Sequence, residues 1–517
     1  MILSTNLDMN PNMNQNMSTS NTRLSTGKDA PLRIPGPRHT TASGRGLAPR
    51  LAAITVWIAW LAAGLPWSNA IAGEPATTRL KVSANQRYLV RADGQPFFYL
   101  GDTAWELFHR LNREEADRYL QNRAAKGFTV IQAVVLAELD GLKTPNAYGE
   151  VPFVDLDVTR PNEAYFKHVD YIVDKAASLG LYIGMLPSWG DKVGAYGNYF
   201  LNEDNARGYG RFLGRRYKDK PIIWILGGDR PPDVTAEIWT LLAAGLKEGD
   251  GGRHLMTFHP FGGGHSSVAF HYSDWLDFNM IQSGHNPNSA NYFRIQMDYS
   301  LRPPKPCMDG EPAYEYPPDA MPSNRPVGAL EVRRRAYWAL FSGAHGHTYG
   351  THPIWQMYAP PRKPLWDVKT PWYDAMDLPG CKQVAHVKAL LFSRPFLARI
   401  PDQLAIYSGL HGGLEYVSVT RDGNAGRNDA TYLMAYFPQH ASITFKTDRL
   451  AGNRIRGWWF NPRDGTAQPL GEFKKEKRME FSPPTKSTTE DWVLVLDDAA
   501  RNYPPPGVAI RQPGDRQ

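Results

Sequence analysis

Between residues 97 and 350 the sequence repeats one pattern: a short apolar run, rich in β-branched and aromatic residues, followed by a longer amphipathic stretch. A short apolar run predicts a buried strand, and an amphipathic stretch predicts a helix. Strands that alternate with helices form parallel sheets, because only a helix-length crossover brings the next strand back in the same direction. The eight predicted strands are residues 97–102, 128–135, 181–187, 221–229, 254–260, 277–283, 305–311 and 345–350.

Helices are predicted between most of these strands. Eight strand–helix units match an α/β fold of the (β/α)8 TIM-barrel type. A doubly wound sheet is the alternative, but it would carry a glycine-rich phosphate loop after the first strand. The sequence has Gly101-Asp102-Thr103 there, so we predict the barrel. The predicted helices are residues 113–126, 162–179, 203–217, 233–247, 288–300 and 327–342.

The segments on either side of the barrel differ from it. Before it, residues 76–97 predict a short β lead-in with a hairpin turn at Asp93-Gly94. After it, short alternating strands without helical periodicity predict a small C-terminal β-sandwich. We therefore divide the chain into a leader, a barrel domain, a sandwich domain and a tail. Their predicted boundaries are 1–72, 76–395, 396–502 and 503–517.

The leader predicts export. Residues 1–47 are polar and rich in Asn, Ser, Thr, Gly and Pro, a composition typical of disorder. An uncharged apolar run of 15 residues, 51–65, follows Arg50, and Ala70-Ile71-Ala72 fits a signal-peptidase site. The run is shorter than the roughly 20 residues of a membrane span. We expect cleavage and a periplasmic or extracellular protein without stable membrane insertion; an uncleaved N-terminal anchor is the alternative.

Composition narrows the class of protein further. The net charge is +7, and the first 72 residues contribute six basic but only two acidic residues to it. The remainder of the chain is therefore nearly neutral, which disfavours a nucleic-acid binder. Two cysteines, Cys307 and Cys381, exclude a disulfide framework and a cysteine-based zinc cluster. The 15 tryptophans and 25 tyrosines suit a protein that stacks on sugar rings, although a large core also uses them.

Two acids stand out at the predicted strand ends, where TIM barrels place their active sites. Asp229 ends the fourth strand behind two glycines, and Glu311 ends the seventh strand, on the opposite side of the barrel mouth. Glycoside hydrolysis needs such a pair, with one carboxyl protonated and the other ionised. Their separation sets the stereochemistry, at about 5–5.5 Å for retention and about 6.5–9.5 Å for inversion.

Structural roles compete with this prediction. Asp229 could cap the next helix or pair with Arg230, and Glu311 could pair with an arginine of the barrel. Glu315 is a rival acid, but its sequence context places it past the strand. Asp102 could instead order the first loop as a cap.

Other polar and aromatic residues at the strand ends are predicted to bind the sugar. Four histidines could also build a metal site, but their spacing fits no HExxH-type motif, so we predict neither metal nor cofactor. Those histidines are His259, His285, His345 and His347. The predicted sugar-binding residues are Asp102, Trp105, Gln132, Trp189, His259, Gln282, His285, Tyr314, His345, Tyr349 and Trp355.

Five segments in order, FYLGDTAWELFHRL, KGFTVIQAVV, PIIWILGGDRP, CMDGEPAYE and AYWALFSGAHGHTYG, resemble the apiosidase-like family of glycoside hydrolases over roughly residues 80–395. The segment with GWWFNPRDG resembles the sandwich that has been labelled the collagen-binding domain of a collagenase. The resemblance implies a retaining glycosidase with Asp229 as acid/base and Glu311 as nucleophile. The characterised activity of that family removes apiose from pectin side chains, so apiose is the first sugar that the resemblance implies. An Asp at the acid/base position departs from the larger group of such barrels, which use Glu.

Three alternatives from other classes remain open at this stage. An inactive barrel would bind carbohydrate without cleaving it, and a matrix-binding protein would act through the sandwich alone. A metal-dependent hydrolase would lose activity with a chelator. The paired acids favour a glycosidase acting on an oligo- or polysaccharide.

Overall fold

The computed structural model describes residues 79–512, except 319–320, 322–325 and 367. The predicted signal peptide lies outside the described residues. Among the residues that the structure describes, no helix is long and apolar enough to span a membrane. The described chain begins with the predicted β lead-in, an antiparallel sheet whose second turn uses Gly94 at a φ of 92°. Its strands are β1 (Leu80–Val82), β2 (Leu89–Arg91) and β3 (Pro96–Phe97).

Eight parallel strands follow in the order β8-β7-β6-β5-β4-β11-β10-β9. Hydrogen bonds cross the seam between the two end strands: Thr257 Oγ1 donates to the Phe278 carbonyl at 2.6 Å, and the Asp277 amide donates to the Met256 carbonyl at 2.8 Å. The barrel prediction is confirmed, and the doubly wound alternative is wrong. The strands are β4 (Tyr99–Thr103), β5 (Val130–Leu136), β6 (Tyr182–Ser188), β7 (Ile222–Gly227), β8 (Met256–His259), β9 (Asn279–Ile281), β10 (Cys307–Asp309) and β11 (Gly346–Tyr349).

Helices surround this barrel, and local sequence explains several of their limits. One begins at a capping box in which Asn112 and Glu115 satisfy each other's amide groups, and another ends at Gly251 in the left-handed region. The helices are α1 (Leu107–Arg110), α2 (Arg113–Ala125), α3 (Glu163–Ser178), α4 (Ala206–Tyr217), α5 (Ala236–Asp250), α6 (Ser266–Phe270), α7 (Asn291–Ser300), α8 (Ala329–Phe341), α9 (His352–Trp355), α10 (Trp372–Ala375), α11 (Pro379–Gln383) and α12 (Ala385–Phe392).

Small residues set the packing of α4 and α5, the helices on either side of β7 in the chain. A Cβ at Gly210 would lie 2.4 Å from the Leu242 carbonyl oxygen, and one at Gly245 would lie 2.1 Å from the Arg207 carbonyl oxygen. Only glycine permits backbones to approach this closely. The two helices therefore pack backbone against backbone.

The C-terminal domain consists of two antiparallel sheets, as predicted. One has the order β12-β14-β15-β20-β17-β18 and the other β13-β16-β19. Its strands are β12 (Ile400–Pro401), β13 (Ile406–Ser408), β14 (Ser418–Arg421), β15 (Tyr432–Phe437), β16 (Ile443–Phe445), β17 (Arg454–Phe460), β18 (Ala467–Lys474), β19 (Met479–Phe481) and β20 (Trp492–Asp498).

The central strands of the larger sheet are buried on both faces. Leu433 and Leu494 point into the sandwich core, whereas Met434, Tyr436 and Val495 pack with residues of the barrel domain. This explains why β15 and β20 read as nearly continuous apolar runs instead of alternating ones. The sandwich therefore packs directly on the barrel.

Buried ion pairs join the two domains. Arg333 on α8 lies 2.8 Å from Asp491, which also accepts a hydrogen bond of 3.0 Å from the Tyr436 hydroxyl. Arg394 binds Asp497 at 2.6 Å. Tyr337 on α8 stacks on Tyr436, with ring centroids 4.8 Å apart. These contacts fix the sandwich against one side of the barrel, away from the strand ends.

Removal of Asp491 tests this interface. Asp491→Ala would leave Arg333 buried without its counter-ion, and loss of one partner of a buried pair costs about 3–5 kcal/mol. We expect a clear fall in the urea midpoint of unfolding. Glu472→Ala, which breaks the exposed pair with Arg454, is the control and should cause no resolvable change. Equal shifts in both variants would contradict the account of the interface.

Candidate active site

An unusual backbone presents Asp229 at the barrel mouth. Gly227, Gly228 and Asp229 have positive φ values of 92°, 124° and 51°. A Cβ at Gly228 would lie 2.7 Å from the Trp189 indole, so a larger residue cannot stand there. Asp229 is not a glycine, so its positive φ is a strained conformation. Strained backbone persists where the surrounding structure enforces it, commonly at functional sites.

The structural alternatives for Asp229 do not apply. The N-cap of α5 is Thr235, so Asp229 does not cap that helix. Arg230 donates to the main-chain carbonyl of Asp229, at 2.9 Å, instead of pairing with its carboxylate. The carboxylate oxygen Oδ1 of Asp229 is buried and has no hydrogen-bond partner among the described residues, and Gln282 lines the same pocket. The carboxylate is thus available to a ligand in the pocket.

Glu311 follows β10 and is almost fully buried. His259 Nε2 lies 2.9 Å from Glu311 Oε2, and His285 Nε2 lies 3.3 Å from Glu311 Oε1. Burial, and then the charge of Glu311, raise the pKa of the neighbouring Tyr314 phenol. The partners of Glu311 are therefore two imidazoles, with a phenol beside them, not the arginine considered as an alternative.

The two acids meet across the pocket. One side-chain ligand atom each of Asp229, His259 and Glu311 lies within 4.8 Å of the others. The two carboxylates therefore approach each other to within 4.8 Å, short of the about 6.5–9.5 Å of inverting glycosidases.

Their surroundings shift the two acids in opposite directions. Burial raises the pKa of Asp229, and the negative charge of Glu311 raises it further. Burial also disfavours the charge of Glu311, but hydrogen bonds from His259 and His285 outweigh it and hold the pKa of Glu311 below its usual value. Burial acts against the charge of His259 too, yet Glu311 and Asp229 raise the pKa of that imidazole. The surroundings thus disfavour the charge of Asp229 and favour the charge of Glu311.

A cavity of about 350 Å³ surrounds these groups, at the small end of ligand pockets. Its inner end is aromatic: the rings of Trp105 and Trp189 lie 5.2 Å apart, and that of Trp105 lies 5.3 Å from the His259 ring. The lining residues are Trp105, Glu138, Trp189, Asp229, Gly262, Gln282, Gly284, His285, Glu311, Tyr314, His352, Trp355 and Trp366. Eight of them are predicted site residues, and His259 contacts this wall through Glu311 and both indoles.

The structure corrects the expectation that Asp102 and Tyr349 bind sugar. Asp102 is buried against α2, where it pairs with Arg123 at 2.5 Å and accepts a hydrogen bond from Tyr119. Tyr349 donates to Glu315 at 2.6 Å. Both predicted residues point from their strands toward the surrounding helices, because alternate residues of a barrel strand face outward. The position of a residue near a strand end therefore does not determine whether its side chain faces the pocket or the surrounding helices.

Gln132 and His345 also lie outside the pocket lining. Gln132 points into the barrel interior below the mouth and donates to the Gly310 carbonyl at 3.0 Å. His345 precedes its strand, at the opposite end of the barrel, with Nδ1 3.0 Å from the Cys307 carbonyl oxygen. The prediction of sugar contacts is wrong for both, since side chains separate them from the cavity.

Several lining residues are absent from the predicted site. Glu138 stands two residues after β5, among the strand-end acids, but is not in the predicted set. His352 and Trp366 lie in the long segment after β11, where strand periodicity gives no guidance.

His259 Nε2 lies 2.9 Å from Glu311 Oε2, and one ligand atom each of Asp229, His259 and Glu311 lies close enough to the others to hold a metal ion. His345 and His347 do not join this group. His345 faces Tyr99 and Phe278.

A second cavity, of about 360 Å³, lies at the other end of the barrel and contains basic residues. Three of its cations already have partners: Arg79 donates to the Arg253 carbonyl, Arg253 pairs with Asp219, and Lys220 pairs with Asp174. The strand-end pocket is therefore the candidate active site.

Comparison with known proteins agrees with this assignment. A family model described as "Apiosidase-like, catalytic domain" matches residues 83–398, and one described as "Putative collagen-binding domain of a collagenase" matches residues 400–497. No curated protein is significantly similar to the chain.

Two solved structures are similar over most of their length. One, titled glycoside hydrolase, is 35% identical, with a TM-score of 0.76 over 83% of this chain and 99% of that one. The other, a glycoside hydrolase family 5 protein from Bacteroides vulgatus, is 34% identical, with a TM-score of 0.77 over 84% of this chain and 96% of that one.

Glu138 provides a test of the pocket's electrostatics. Burial and the neighbouring acids, Asp229 first among them, raise the pKa of Glu138 to about 8. The unfolded chain releases this proton near about pH 4.3, so between these values the folded state binds more protons and rising pH disfavours folding. Glu138→Gln cannot ionise. From pH 5 to pH 9 it should therefore gain stability relative to wild type, by at most about 1.4 kcal/mol per pH unit.

Urea unfolding at both pH values measures this gain. Glu203→Gln, at an exposed position, is the matched control and should follow the wild type. If Glu138→Gln follows it as well, the pocket does not hold a proton on Glu138.

Proposed function

The chain belongs to the apiosidase-like family and is a glycoside hydrolase. We propose that it is a retaining enzyme that removes a terminal sugar from pectin-type plant polysaccharides. Apiose is the first candidate sugar. The observation that carries the proposal is the pair Asp229 and Glu311, within 4.8 Å of each other and with pKa values shifted in opposite directions.

The first step of the proposed mechanism uses both acids together. Glu311, held ionised, attacks the anomeric carbon, while neutral Asp229 donates its proton to the glycosidic oxygen of the leaving group. The product is a covalent glycosyl-enzyme on Glu311 and a free alcohol. The strained backbone at Asp229 supports this role, because an Asp is one methylene shorter than a Glu and must start closer to the bond it protonates.

In the second step, Asp229 is ionised and accepts a proton from water, which attacks the same carbon and releases Glu311. Each step inverts the configuration of the anomeric carbon, so the released sugar retains the configuration it had in the substrate. The imidazoles of His259 and His285 hold the Glu311 carboxylate in one orientation throughout.

The shape of the pocket supports removal of a terminal unit. Trp105 and Trp189 are 2% and 1% exposed and line the cavity on its buried side. A cleft open at both ends would admit a chain along its length, whereas a closed pocket admits a chain end.

The inactive-barrel alternative is less well supported, because both acids are present and oppositely shifted. A matrix-binding sandwich would have to use surfaces other than the face of β15 and β20, which packs on the barrel.

Substitution of the two acids distinguishes their roles. On the natural linkage, Asp229→Asn should lower kcat by about 10²–10⁴-fold through loss of general acid catalysis. With a dinitrophenyl apioside, whose leaving group needs no proton, its first step should remain fast, and azide should restore turnover. Glu311→Gln should abolish turnover of both substrates. Stopped-flow release of dinitrophenol measures these rates.

Asp204→Asn, at an exposed position outside the pocket lining, is the matched acid-to-amide control and should retain wild-type rates. Near-native turnover by Glu311→Gln would rule out Glu311 as nucleophile. A wild-type protein that binds but never cleaves these substrates would favour the inactive-barrel alternative.

We also propose export, supported by the apolar run at residues 51–65 and the small residues that follow it. Mass spectrometry of the protein from an exporting bacterial host should find Gly73 at the N-terminus, after cleavage behind Ala72. Membrane-bound protein that retains residues 51–65 would instead support an uncleaved anchor.

A further inference from the structure

One tryptophan of the pocket differs from the others in its exposure. Trp366 is 59% exposed at the mouth, whereas Trp105 and Trp189 are buried at the inner end. Single exposed aromatic rings are common on protein surfaces, but this one belongs to the lining of the candidate active site. The ring of Trp366 therefore offers an apolar face at the entrance of a pocket whose inner end already has its own indoles.

The backbone holds Trp366 at this place. The buried amide of Gln356 binds the preceding residue twice: its Nε2 donates to the Leu365 carbonyl at 3.1 Å, and its Oε1 accepts from the Leu365 amide at 2.9 Å. Trp366 itself has a φ of 59°, in the left-handed region that a bulky residue rarely adopts. A strained residue held by a buried clamp is typical of a functional position.

Aromatic contacts connect this ring to the catalytic centre. The His352 ring lies 6.2 Å from the Trp366 ring and 5.5 Å from the His285 ring. His285 in turn contacts the Glu311 carboxylate. The wall of the pocket thus runs from the proposed nucleophile outward to Trp366.

We propose that Trp366 is the stacking platform of the leaving-group subsite and makes the enzyme prefer glycosides whose leaving group is itself a sugar. This rests on the proposed function, in which the terminal sugar occupies the closed end beside Asp229 and Glu311. The leaving group must then extend through the mouth, where Trp366 stands. A saccharide ring presents a flat C–H face to the indole, and a small alcohol does not reach it.

The test compares two substrates with the same terminal sugar, an apiosyl-oligogalacturonide and methyl apioside. Trp366→Ala should lower the ratio of their kcat/KM values by about tenfold or more, mainly through KM for the saccharide, because lost ring contact weakens binding of that leaving group alone. Trp366→Phe should keep most of the ratio. Tyr199→Ala removes a ring of similar exposure, 60%, outside the pocket lining and should leave the ratio unchanged.

A binding measurement separates this proposal from the proposed function. Calorimetric titration of Glu311→Gln with digalacturonic acid, which lacks the terminal sugar, examines the subsite without turnover. If adding Trp366→Ala to the Glu311→Gln variant weakens its binding of digalacturonic acid by about tenfold or more, the stacking platform is supported, even if the wild-type enzyme cleaves neither substrate. Binding that is equal with and without Trp366, or an unchanged ratio of kcat/KM values, overturns it.

Discussion

The close contact of the buried Glu311 carboxylate with the imidazoles of His259 and His285 is the interaction on which the site depends. Burial alone would raise the pKa of this acid, as it does for Asp229 and Glu138 in the same pocket. His259 and His285 reverse that effect at Glu311 only. The negative charge of Glu311 then raises the pKa of Asp229 and of Glu138. The pocket therefore combines one carboxylate whose charge is favoured with two whose charge is disfavoured.

The scaffold serves this arrangement by close packing. The glycines at the end of β7 let the chain pass the Trp189 indole and turn Asp229 toward Glu311. The tight contact of α4 with α5 and the sandwich packed on α8 fix the frame behind these strands. Strain at Asp229 is sustained because rigid elements surround it.

Sequence periodicity predicted much of the fold, because apolar runs, helix faces and turn glycines are local signals. All eight barrel strands lie where the pattern indicates, and so does the sandwich. The strand-end rule placed Asp229 and Glu311 together, but it could not tell which way a side chain faces. Asp102 and Tyr349 instead bind Arg123 and Glu315, outside the pocket lining. Trp366 reaches the pocket through a non-periodic loop, which no local pattern reveals.

The central claim is that Glu311 forms a covalent bond to the sugar while Asp229 handles the proton. The most direct test is rapid-quench peptide mass spectrometry of Asp229→Asn with dinitrophenyl apioside, because this variant should form the glycosyl-enzyme quickly and hydrolyse it slowly. The account predicts one apiosyl group on the peptide that contains Glu311. An adduct on another residue, or no adduct together with a product of inverted anomeric configuration, would contradict it.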